Sequence, residues 1–261
     1  MNKVPYKREP ANALYWVGDF VNEKFVPDNK IPQKLEVINQ LLSPSVTKDA
    51  NGLTTAIAII PDLISSKAQY EQGWTHLFSM PRVWTLKDGK ICQQPHPVMK
   101  SLRGRKKVFD RKIIYPGKPV LLSNGKHQLE IEMEIRVKDA KQFGFIIGKH
   151  PQQKEMTKIF YDTERKKTIA DQTKSSLNKN IPLRTRDGDY ILNTNDKLTI
   201  RLFIDGSVVE VFINDQAAFT TRIFPLYGES NQVELFTEGG TVVAEKITVW
   251  EMRSAGNKTE F

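Results

Sequence analysis

A single cysteine, Cys92, stands among 261 residues. That excludes an internal disulfide and leaves a thiolate metal cage without ligands. No run approaches the eighteen uninterrupted apolar residues of a membrane span, so no membrane contact is expected. The four histidines, His76, His96, His127 and His150, lack metal-ligand spacing. Each is read as a surface or hydrogen-bonded histidine, and neither a metal nor a cofactor is expected. There is no Gly-x-Ser-x-Gly elbow, and Gly104 is not followed by the Gly-Lys-Ser/Thr of a phosphate loop. Internal repeats and low-complexity tracts are missing as well. The N-terminal MNKVPYKREPANALYW has neither the apolar core nor the small-residue cleavage site of a secretory signal. The compartment stays open, a secreted or periplasmic parent included.

What is present suffices for one large domain or two modest ones: 39% of residues are hydrophobic and 26% charged. Formal net charge is +9, and the basic residues are densest at Arg103, Arg105, Lys106, Lys107, Arg111 and Lys112 in SLRGRKKVFDRK. A nucleic-acid site needs aromatic platforms or a reading helix beside such charge. Neither is nearby, so this segment is read as a solvated connector and no nucleic-acid partner is expected.

Strand signals dominate. ALYWVGDF (13–20), GLTTAIAIIPD (52–62) and THLFSMPRVWTL (75–86) are short β-branched or aromatic runs closed by turn residues. Only IPQKLEVINQLL (31–42) and SSKAQYEQGW (65–74) hint at helix. In HQLEIEMEIRVK (127–138), Leu129, Ile131, Met133, Ile135 and Val137 alternate with charged residues, which predicts one buried face and one wet face. KLTIRLFIDGSVVEVFINDQAAFTTRIFP (197–225) predicts a hairpin at Asp205-Gly206 and a second turn at Asn214-Asp215. VELFTEGGTVVAEKITVWEM (233–252) predicts the same scheme with Glu238-Gly239-Gly240 as its turn. Regularly spaced short strands of this kind describe an antiparallel two-sheet β-sandwich.

GWTHLFSMPRVWTLKDGKICQQP followed by VMKSLRG carries Gly73, Trp74, Pro81, Arg82, Leu86, Gly89, Gln93 or Gln94, Pro95, Leu102 and Arg103. The stretch resembles the end of the catalytic domain in glycoside hydrolase family 32, the invertases, levanases and other β-fructosidases. ALYWVGDFVNEKFVPDN, IFYDTERKKTIADQTKSS and LFIDGSVVEVFINDQAAFTTRIFP are similar to further segments of that family in the same order, so the likeness spans about residues 11–252. It implies an all-β chain made of the last blades of a five-bladed β-propeller (1–104), a basic linker (105–126), a β-sandwich (127–252) and a tail (253–261). For the complete protein it implies a fructan or sucrose-like carbohydrate substrate, and for this chain a missing N-terminal propeller segment as partner.

Trp74 and Arg82 are the candidates for sugar contact. Against that stands packing: Trp74, Trp84 and Pro81 at the closure of a blade, with Arg82 in a structural hydrogen bond or ion pair. The packing reading leads, and neither is settled by the residues alone.

The family's chemistry needs two carboxyl groups roughly 5–5.5 Å apart, a nucleophile and an acid/base. The resemblance places them in an Asn-Asp-Pro-Asn type motif and in a Glu before Cys, with a third carboxylate in Arg-Asp-Pro. None is found. The Asn-Asp pairs are Asn195-Asp196 and Asn214-Asp215, Arg186-Asp187 runs on to Gly188, and Ile91 precedes Cys92. The family's second Asp in Asp-x-Gly-x-Asp-Phe-Tyr-Ala corresponds to Gln40, with Ser43-Pro44 in place of Ala-Pro. No catalytic residue is therefore assigned. The chain is expected to be a fructosidase portion that is inactive alone, or else a non-catalytic sandwich that binds carbohydrate through aromatics such as Tyr161, Tyr190 or Phe203, or that simply braces its neighbour.

Overall fold

A computed structural model describes residues 13–256, apart from 39, 63, 182 and 193–196. The Asn195-Asp196 pair, most of the N-terminal segment inspected for a signal, and the end of the tail lie outside the described residues. The chain is nearly all β, arranged in antiparallel sheets.

Two large sheets form a sandwich. One has the order Arg103–Phe109, Val242–Met252, Gln128–Val137, Leu198–Asp205, Val208–Ile213, Ala217–Arg222, with Lys112–Ile114 also pairing with Val242–Met252. The other runs Val120–Ser123, Gln232–Glu238, Gln142–Lys149, Thr157–Asp162, Lys167–Asp171, Thr185–Asp189. The predicted alternation points Ile131 and Met133 inward, opposite Leu202 and Ile200 on one side and Val249 and Ile247 on the other. They meet Phe145, Ile147, Leu235 and Ala170 of the facing sheet in one buried core. Each such side chain stabilises the fold by roughly 1.5–3 kcal/mol relative to exposure.

The N-terminal part holds a smaller antiparallel sheet: Leu42–Lys48, Thr54–Ile60, Arg82–Lys87 and Lys90–Pro95 in order, with Leu77–Phe78 beside Thr54–Ile60. Two short strand pairs precede it, Leu14–Tyr15 with Gln33–Lys34 and Gly18–Val21 with Lys24–Pro27. A helix, Ser66–Gln72, falls where SSKAQYEQGW hinted. Ser65 caps it by accepting from the Ala68 N–H at 3.2 Å, and Gly73 ends it at φ 80°. Asn214 and Asp215 fall in the three-residue connection between the paired Ile213 and Ala217, both at positive φ (54° and 51°), with the Gln216 N–H donating to the Ile213 carbonyl at 3.0 Å.

Four expectations give way. The described residues of 31–42 are not helical: after Gln33–Lys34 the chain buries Leu35, Glu36, Ile38, Gln40 and Leu41. The backbone at Val37 lies so close to Gly188 that a Cβ there would sit 1.8 Å from the Val37 carbonyl oxygen. Packing against the sandwich outweighs the weak helix preference.

Residues 105–126 are not a linker, since they supply Lys112–Ile114, Val120–Ser123 and most of Arg103–Phe109. Arg103–Phe109 is an edge strand, and a row of Lys and Arg suits a position where unpaired backbone would otherwise template association. Glu238-Gly239-Gly240 does not close a hairpin; it carries the chain from one sheet to the other. A Cβ on Gly240 would meet the Asp139 carbonyl oxygen at 2.2 Å, so this crossing admits only glycine without movement.

Finally, the outer face of Gln128–Val137 is not wet at Glu130, which is fully buried. Arg103 grips that carboxylate through Nε (2.7 Å) and Nη2 (2.6 Å), while Arg201 Nη2 adds a third contact at 2.7 Å. The Arg103 guanidinium lies 3.7 Å from the centre of the Trp250 ring, so Arg and Trp together roof the strand.

Candidate functional site

The N-terminal sheet meets the sandwich along a seam built around Arg82. Arg82 opens the strand Arg82–Lys87 and is 1% exposed. Its Nη1 donates to Glu36 Oε1 (2.8 Å) and Gln93 Oε1 (3.0 Å). Its Nη2 donates to Glu210 Oε2 (2.5 Å) and Thr220 Oγ1 (2.6 Å), and its Nε to Glu210 Oε2 (3.1 Å). Thr220 passes its own hydroxyl hydrogen to Glu36 Oε1 at 2.8 Å. The Met80 N–H donates to Glu210 Oε1 at 2.7 Å, and Gln93 Nε2 to the Leu35 carbonyl at 2.6 Å.

One guanidinium thus binds carboxylates from two parts of the chain far apart in sequence, with all five donors used. No N–H remains for a sugar hydroxyl, so Arg82 does not serve as the sugar-contact candidate it was in sequence. Burial pushes the Glu210 carboxyl upward and the Arg82 charge opposes it; for Arg82, the opposed effects of burial and of the two glutamates leave the guanidinium raised. Backbone contacts extend the seam: the Val37 N–H donates to the Ala218 carbonyl and the Gln93 N–H to the Gln216 carbonyl, each at 3.0 Å. These cover the edge strand Ala217–Arg222 of the seven-stranded sheet.

Beside the network the seam opens into a cleft of about 1040 Å³, whose lining includes Phe78, Met80, Met99, Phe203, Glu210 and Met252. Asp205 lines it too. Glu210 cannot attack or protonate a substrate from here, because both its oxygens already accept buried hydrogen bonds. Glu36 accepts from Arg82, Thr220 and the Gln40 N–H (3.4 Å) and does not line the cleft. The arrangement joins two parts of the chain and holds them dry.

Trp74 follows the helix cap and is about half exposed, 46%. No hydrogen bond or cation–π contact joins it to Arg82. Tyr161 and Phe203 are buried: Tyr161 donates its hydroxyl to the Tyr190 carbonyl at 2.9 Å, and Phe203 packs against Phe212. Among the described residues, no group of three or more His, Cys, Asp or Glu side chains is placed to hold a metal ion. Glu36 and Glu210 were not singled out from sequence. A signal existed: each is a lone charge inside an apolar run, LEVI and VVEVF, where a buried carboxylate must find a partner.

The family description "Glycosyl hydrolases family 32 C terminal" matches residues 98–251. A sucrose-6-phosphate hydrolase of Escherichia coli is 26% identical over 185 residues, covering 69% of this chain and 36% of that protein. A levanase of Bacillus subtilis (strain 168) is 26% identical over 197 residues, covering 72% and 29%. The match thus spans about a third of the length of these two relatives. Among solved structures, fructan 1-exohydrolase IIa from Cichorium intybus superposes with a TM-score of 0.84 at 18% identity, over 94% of this chain and 55% of that one.

Proposed function

The chain belongs to glycosyl hydrolase family 32, and from that premise we propose that it is the C-terminal portion of a β-fructosidase acting on fructans or sucrose-like sugars. In this reading the N-terminal sheet, up to about residue 104, is part of a five-bladed β-propeller, and the sandwich is bolted to it through Arg82. The nucleophile and acid/base carboxylates are contributed from outside these residues. The observation that carries this is the state of the seam: Glu210, on the 1040 Å³ cleft, spends both oxygens on Arg82 and Met80. Retaining hydrolysis needs two carboxyl groups free to act on the substrate, and Glu210 is not free to be one of them.

The test is direct. The purified chain is incubated with sucrose, inulin and levan, and released fructose is measured. The expected result is no turnover above background. Rates in the ordinary enzymatic range of about 1–10³ per second would overturn the proposal.

A carbohydrate-binding sandwich is the weaker reading, because two of the three aromatics offered for it, Tyr161 and Phe203, are buried. A bracing role fits better, and calorimetric titration with fructan is expected to give no heat at millimolar sugar.

A further inference from the structure

Three arginines meet where both sandwich sheets end. Arg222 closes Ala217–Arg222, the last strand of one sheet; Arg184 and Arg186 stand at the start of Thr185–Asp189, the last strand of the other. With Gln40 and Gln172 they line a cavity with room for one occupant about the size of a water molecule. Arg222 is buried, and its Nε donates to Ser207 Oγ at 3.1 Å. Its Nη1 has no hydrogen-bond partner, and Asp62 Oδ2 lies 3.9 Å away. Arg186 Nε donates to the Gln40 amide oxygen at 2.7 Å when that amide is turned to satisfy both groups.

Among the described residues neither Arg184 nor Arg186 has a carboxylate within ion-pairing distance, and Arg222 has only Asp62, so three guanidinium groups line the cavity with a single carboxylate beside one of them. Burial first, and Arg184 second, bring Arg186 down to about 10. Burial lowers Arg222 as well, with Asp62 opposing.

Arg222 is buried while Arg184 and Arg186 are partly exposed, and charge removed from water without a counter-charge is costly, so the burden falls chiefly on Arg222 and the inner side of Arg186. A water in the cavity would satisfy Arg222 Nη1 and leave the surplus charge in place. An anion does both. We propose that this cavity is a binding site for a small monatomic inorganic anion, chloride, held by Arg222, Arg186 and Arg184, with the partly exposed Arg184 and Arg186 side chains shifting outward to admit an ion somewhat larger than water. Gln40 and Asp62 come from the N-terminal part, so the bound anion fastens three sheets at one point and its binding stabilises the fold.

The experiment follows thermal unfolding of the full chain in sodium gluconate as chloride or bromide replaces gluconate at constant ionic strength. Crystals grown in bromide are examined by anomalous diffraction. Tm is expected to rise saturably with either halide, and a bromine peak to lie among the three guanidinium groups. Arg184 makes no side-chain hydrogen bond among the described residues. Arg184→Gln removes one of the like charges, so it is expected to keep or raise the anion-free Tm while weakening apparent halide affinity about tenfold or more. Sulfate and phosphate, too large for the cavity, are expected to act no more strongly than gluconate. No saturable difference between chloride and gluconate overturns the proposal. So does a response that Arg184→Gln leaves unchanged, or one as strong with sulfate or phosphate as with chloride.

Discussion

The Arg82 guanidinium ends every one of its donors on a buried oxygen, so its removal would strand two glutamates away from water. Arg82→Gln is expected to cost about 3–5 kcal/mol, read as a fall in the urea midpoint. Arg82→Lys keeps the charge but not the planar fork, and is expected to recover only part of that loss. Thr168 is the opposite case: its buried hydroxyl oxygen has no hydrogen-bond partner. Thr168→Val fills the same volume without a polar atom and is expected to leave Tm unchanged or raise stability by about 1 kcal/mol. At this scale the sequence announced where charge was out of place, as in VVEVF, but not what it paired with. Arg82 and Glu210 are separated by 128 positions, and only the fold brings them to 2.5 Å.

Among the elements, the connections at one end of the sandwich hang on Glu155. Its carboxylate is buried and accepts from the Leu177 N–H (2.9 Å), the Leu226 N–H (2.9 Å), the Tyr227 N–H (3.2 Å) and Ser230 Oγ (2.7 Å). Burial raises its pKa, but the hydrogen bonds prevail and hold it below the usual glutamate range. A carboxyl depressed on folding contributes stability above its unfolded pKa, about 4.3, and loses it as pH falls through the folded value. Glu155→Gln is expected to lower stability at neutral pH by about 1–3 kcal/mol, because three backbone donors lose an anionic acceptor. It is also expected to flatten the decline in stability on acidification below the glutamate range. A denaturation series from pH 7 down to pH 3 checks both, and an unchanged slope in the variant would assign the acid sensitivity elsewhere.

Across the whole molecule, burial is uneven. The sandwich encloses one continuous core, whereas Phe20 in the strand Gly18–Val21 is 78% exposed and Ile31, just before Gln33–Lys34, is 80% exposed. Strand pairs with so little buried apolar area open more cheaply than core strands. Amide exchange is expected to be faster in Gly18–Val21 and Lys24–Pro27 than in Gln128–Val137, by roughly a hundredfold or more for opening energies that differ by about 3 kcal/mol. Equal protection of the two parts would contradict this.

Residue order alone determined that this chain is β-rich, where its clean strands lie, and which side chains of Gln128–Val137 face the core. Period-two alternation and turn residues are local properties, and they survive without knowledge of partners. It also carried the family likeness. Tertiary structure alone decided that the basic stretch after Arg103 is sheet edge rather than linker, that Glu238-Gly239-Gly240 changes sheets, and that Arg82 is bolt rather than sugar contact. Those outcomes depend on which distant strand or charge lies opposite, and pairing across more than a hundred residues is set by packing of the whole, not by any local pattern.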